Sequence, residues 1–89
     1  MTEAIYCFDT ATVRFAIYPD GGARVVAEIK EDPLRDLFGA RGGGDSLVAA
    51  YTRNAVFINE RALERHRHAG GGPILLETGD FDLVVQEAA

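Results

Sequence analysis

Apolar and polar residues alternate in two stretches of the chain. Over residues 12–18 the apolar set is Val13, Phe15 and Ile17, and over residues 24–30 it is Val25, Ala27 and Ile29. A period of two marks a half-buried strand. Pro19-Asp20-Gly21-Gly22 separates the two stretches; proline presets φ and glycine tolerates positive φ, so the chain turns back there. The pattern predicts a hairpin, and it also selects the register. Pairing Ile17 with Val25, Phe15 with Ala27 and Val13 with Ile29 keeps one face apolar. A register one residue tighter would set Val13 against Glu28 and Ile17 against Arg24. The favoured pairing also opposes Arg14 and Glu28 on the other face, a cross-strand ion pair of about 0.2–1 kcal/mol.

The remaining elements follow from similar signals. Ala4-Ile5-Tyr6-Cys7-Phe8 reads as a short strand closed by Asp9-Thr10. Residues 31–39 predict a short helix, with Asp32 as N-cap and Pro33 at the first helical position. Leu34, Leu37 and Phe38 form its stripe, and Gly39 supplies a left-handed stop. Past Arg41-Gly42-Gly43-Gly44, residues 45–68 predict one long helix of roughly 35 Å at about 1.5 Å per residue. Its buried stripe is Leu47, Tyr51, Ala55, Ile58 and Ala62, with Asp45 or Ser46 capping the start. Gly70-Gly71-Gly72-Pro73 ends it. Residues 74–78 return as a strand, Gly79-Asp80 turns the chain, and residues 81–86 offer a further strand through Phe81, Leu83 and Val85. The order predicts an α+β fold in which residues 1–89 form a single domain. A short and a long helix would cover one face of a small, mostly antiparallel sheet.

Composition narrows the setting. The chain has 89 residues and is 47% hydrophobic, enough for one modest core. Nine Lys+Arg against 14 Asp+Glu give a net charge of −5, which argues against a generic nucleic-acid coat. Cys7 is the only cysteine; a disulfide framework is excluded and a reducing compartment is the expected setting. No apolar run is long enough to span a bilayer and no basic leader precedes one, so a cytoplasmic location is expected and no membrane partner.

Three blocks taken together resemble a known family. They are Val13-Arg14-Phe15 with the hairpin and the short helix ending Leu37-Phe38-Gly39-Ala40; the helix Leu47-Val48-Ala49-Ala50-Tyr51 continuing through Arg53, Ile58 and Ala62; and the tail from Ile74 to Phe81. In order and spacing these resemble the short bacterial proteins catalogued as domain of unknown function number fourteen eighty-eight. Pro33 stands where that family is expected to have a helix former, usually alanine, and residues 82–89 extend past its usual end. The resemblance implies a small α+β domain of bacterial cytoplasm. It carries over no activity and no site residues.

Candidate chemistry is sparse. His66 and His68 are two apart, which on a helix points them about 200° from each other, whereas helical metal pairs are spaced by three or four. Gly42-Gly43-Gly44-Asp45-Ser46 precedes a helix, yet it lacks the lysine of a phosphate-binding loop and Asp45 would repel an anion. Asp80 and Asp82 flank Phe81 with no sequence sign of a partner base. Ser46, the only serine, belongs to a helix start. No catalytic residue, metal ligand or cofactor is assigned on this basis, and an enzyme is not the expectation.

Charge and one aromatic carry more. Arg53, Arg61, Arg65 and Arg67 stand against Glu60 and Glu64 between residues 51 and 69, while the tail from Glu77 holds four acids and no base. The acidic tail could therefore pair with the basic helix end, within one chain or between two. Phe57 falls off the buried stripe onto the polar side of the helix. Either the short helix or the C-terminal segment folds over it, or it faces a partner. An aromatic anchor ringed by arginines is a common hot-spot composition. The leading expectation is therefore a non-enzymatic binding or adaptor domain, acting on a protein partner or on a second copy through Phe57, Arg53, Arg61 and Arg67. The alternative is a nucleic-acid-binding accessory protein using Arg61, Arg65, Arg67 and His68. A metal-dependent enzyme is the least favoured reading.

Overall fold

The computed structural model describes residues 4–69 and 73–81. Four strands form one sheet in the order β1 (Ile5–Cys7), β2 (Thr12–Ile17), β3 (Val25–Lys30) and β4 (Ile74–Leu76). The β1–β2 and β2–β3 pairs are antiparallel, and β4 runs parallel to β3. A parallel pair needs a long crossover, supplied here by α1 (Glu31–Asp36), α2 (Gly44–Arg53) and α3 (Ala55–Ala69). The class is α+β, as the sequence pattern predicts. The hairpin register is also the predicted one: Ile17 faces Val25, Phe15 faces Ala27 and Val13 faces Ile29. Arg14 meets Glu28 at 3.2 Å. In the turn, Asp20 and Gly21 take positive φ of 56° and 70°.

One face of the sheet carries the core. Val13, Phe15, Ile17, Ala27, Ile29, Ile74 and Leu76 pack with Leu34 of α1, with Leu47, Ala50 and Tyr51 of α2, and with Ile58 and Ala62 of α3. Phe15 and Tyr51 stack with ring centroids 4.7 Å apart. The Tyr51 hydroxyl, whose pKa is raised by burial, donates to Asn59 Oδ1 at 2.6 Å.

Several boundaries differ from the sequence reading. The predicted long helix is two helices, because Asn54 leaves helical geometry (φ −119°, ψ 22°). Its side-chain Nδ2 donates to the Ala50 carbonyl at 2.9 Å, and its backbone N–H turns to Tyr51 at 3.0 Å. Asparagine thus competes with the backbone ladder for its own acceptors. The short helix starts at Glu31 rather than after Asp32, with Lys30 as cap and Pro33 in its first turn. The cause is continuity: Lys30 still pairs with Thr12, and the Glu31 N–H donates to the Ala11 carbonyl at 3.3 Å. Neither Asp45 nor Ser46 caps α2, whose N-cap is Gly43. Ser46 Oγ instead accepts from the Arg41 N–H at 2.9 Å. Gly39 is the left-handed stop expected of it, at φ 79°, with the Ala40 N–H returning to the Leu34 carbonyl at 2.9 Å. Phe81 ends a 3-10 turn over Thr78–Phe81, while residues 82–86 of the expected further strand lie outside the described residues.

Candidate functional site

The Asn54 break separates residues that a continuous helix would have set on one face. Arg53 ends α2, whereas Phe57, Arg61, Arg65, Arg67 and His68 belong to α3. Within α3 the one-turn spacing brings Arg61 over the Phe57 ring, with the guanidinium carbon 5.8 Å from the centroid. Such a cation–π contact contributes about 0.5–1 kcal/mol when exposed.

Phe57 is held by two distant segments. Phe38, just past α1, lies 6.0 Å from it centroid to centroid, and Phe81 of the C-terminal turn lies 5.8 Å away. Phe38 and Phe81 meet edge to face at 5.4 Å, the geometry that aromatic quadrupoles favour. The three rings form a closed cluster. Phe81 is 3% exposed, yet Phe57 keeps 37% of its surface in solvent. Two chain neighbours of the cluster are open as well, Leu37 at 44% and Val56 at 76%. Of the two fates expected for Phe57, folding-over is what the short helix and the tail both do, and they cover it incompletely.

Two arginines of the basic end of α3 are already paired. Arg61 bonds Glu64 one turn on, and Arg65 Nη1 donates to Asp80 Oδ1 at 2.5 Å. Asp80 is fixed in turn by accepting the Glu77 N–H through Oδ2 at 2.7 Å. Asp80, the part of the acidic tail that this contact involves, thus meets the basic helix end within one chain. Arg67 and His68 are exposed. Arg61, Glu64, Arg65, His68, Gly79 and Asp80 line a shallow cleft of about 180 Å³. His66 is half-buried, and its Nδ1 has no hydrogen-bond partner among the described residues. No group of three His, Cys, Asp or Glu among the described residues is arranged to hold a metal ion, and no described helix is long and apolar enough to cross a membrane.

Sequence reasoning missed the roles of Phe38, Leu37, Val56 and Phe81. The helical stripe assigns Leu37 and Phe38 to the core, and the alternation assigns Phe81 to a strand. The signal that could have found the patch is Val56 and Phe57 directly before the buried Ile58, three large apolar residues in succession where a single apolar stripe accounts for only one. Comparison with family models, with curated proteins and with solved structures returns no match, so the geometry of the site carries its interpretation.

Proposed function

We propose that the chain is a non-enzymatic, cytoplasmic binding domain that engages a protein partner through the exposed side of its phenylalanine cluster. The observation that supports this is the incomplete burial of Phe57 next to Leu37 and Val56, with Arg61 laid across the ring. Partly buried aromatics with an arginine beside them are the anchors that interfaces concentrate their energy on. Phe38 and Phe81 pre-position Phe57, which lowers the ordering cost of binding. Arg53 and Arg67 would supply orienting charge to the partner.

Val56 gives the cleaner test, because at 76% exposure it contributes little to the core. Val56→Asp should leave thermal unfolding near that of the native chain. Proteins that co-purify with the native chain from its own cells, and are identified by mass spectrometry, should be absent with the variant. Co-purification unaffected by Val56→Asp would place the contact elsewhere and overturn this reading. The nucleic-acid alternative retains Arg67 and His68, but Arg61 and Arg65 would first have to leave Glu64 and Asp80. Its test is binding to short RNA or DNA duplexes that falls steeply with added salt.

A further inference from the structure

The helices account for one face of the sheet, and the other has a composition of its own. Register places Ile5, Arg14, Glu28 and Leu75 in one row across all four strands. A second row holds Cys7, Thr12 and Lys30, and a third Ala16 and Val26. A solvated sheet face is ordinarily polar. Here the outward positions include Ile5 at 58% and Val26 at 44% exposure, together with Ala16 and Leu75. Beside them a depression is lined by Arg14, Val26, Glu28, Pro73 and Leu75.

We infer that this face packs against the same face of a second copy, in a two-fold dimer whose axis runs along the strands between β2 and β3. The row order selects that symmetry. A half-turn about this axis lays β2 over the partner's β3 and β1 over its β4 without changing the row. Arg14 of each copy then stands over Glu28 of the other, and Ile5 stands over Leu75. Four charges of alternating sign meet at the centre, with an apolar contact on either side. Ile5 is the exposed knob and the depression beside Leu75 is the hole that receives it, so the shapes match as the charges do. Ala16 falls over Val26 in the third row.

Arg14 has donors to spare for this contact. Nε and Nη2 both reach Glu28 Oε2 within the chain, at 3.3 and 3.2 Å, out of five guanidinium N–H groups. Twisted sheets pack about 10 Å apart with strands roughly 30° from parallel, a spacing that these side chains span. The surface is separate from the phenylalanine cluster, so a second copy and a protein partner would not compete.

Sedimentation equilibrium on the full chain tests the inference, run from low micromolar to millimolar concentration. The expected mass rises from 9.6 kDa towards twice that value. Val26→Lys, outside any ion pair, should weaken the dimer at least about tenfold while the circular-dichroism melt still shows a folded monomer. Arg14→Glu should weaken it comparably, and Arg14→Glu with Glu28→Arg together should restore association to within about threefold, because the reversed charges still alternate. Should Arg14→Glu fail to fold, Val26→Lys decides alone. A native chain that stays at 9.6 kDa throughout overturns the inference. So does a dimer indifferent to both surface changes, or one that Val56→Asp abolishes, which would belong to the α3 surface instead.

Discussion

Tyr6 and Glu31 lie 25 positions apart, yet the tyrosine hydroxyl donates to Glu31 Oε2 at 2.5 Å and Arg35 reaches the other carboxylate oxygen at 3.3 Å. The Tyr6 hydrogen bond is the largest cause holding the Glu31 carboxyl below its ordinary 4.5; Arg35 assists and desolvation opposes. The same bond, with burial and the Glu31 charge, holds the Tyr6 hydroxyl above its ordinary 10.0 against an opposing effect of Arg35. The signs differ at the two ends of the pH scale. The Glu31 contribution is present above 4.5 and is lost as pH falls through its lowered folded pKa. The Tyr6 contribution is present below 10.0 and is lost as pH rises through its raised folded pKa. Tyr6→Phe should therefore move the acid-unfolding midpoint to higher pH. In urea titrations its deficit relative to the native chain should shrink once Glu31 is protonated. A deficit that stays constant into acid would show that Tyr6 acts through its ring alone. Neither partner was legible as a pair in the sequence, because a contact of this kind depends on β1 lying beside β2 where α1 begins.

Glycine positions separate two ways in which elements are joined. Gly39 ends α1 at φ 79°, and a Cβ there meets open space. Gly39→Ala should cost about 1 kcal/mol through backbone strain alone. Gly44 begins α2, where a Cβ would sit 2.7 Å from Tyr6 Cδ2. Helix propensity favours alanine at that position by about 0.5–1 kcal/mol, while forcing the ring aside costs about 1–3 kcal/mol, so Gly44→Ala should destabilise the fold. Combined with Tyr6→Ala it should become neutral or stabilising, a reversal that a double-mutant cycle in urea detects. A penalty that survives in the Tyr6→Ala background would mean that the α2 start needs glycine for another reason. The Gly39 stop and the hairpin register were legible because each rests on local pattern: a stripe followed by glycine, and two alternating runs that admit one apolar pairing. The Asn54 break was not. Ile58 and Ala62 stay buried at the spacing that a continuous helix would give them, so the apolar stripe runs through a point where a side-chain hydrogen bond has ended the helix.

At the scale of the whole molecule, the three phenylalanines fasten segments that are far apart in the chain: the stretch just past α1, the first turn of α3 and the C-terminal turn. No periodicity announces such a meeting, and only the off-stripe position of Phe57 hinted at it. Domains of this size have about 5–10 kcal/mol of stability in all, so one ring can decide a large part of it. Phe81 is 3% exposed and contacts both others; Phe81→Ala should cost about 3–4 kcal/mol. Phe57 retains 37% exposure, and its truncation removes less contact, so Phe57→Ala should cost about 1–2 kcal/mol and leave a folded chain. That difference is the energetic signature of a ring shared between a core and a surface. Urea denaturation of the two variants measures it directly. If Phe57→Ala costs as much as Phe81→Ala, the ring is fully committed to holding the tail against the helices, and a partner would have nothing to gain from it. If it costs the smaller amount, the exposed part of the ring contributes little to folding, which leaves that surface available for recognition by another protein.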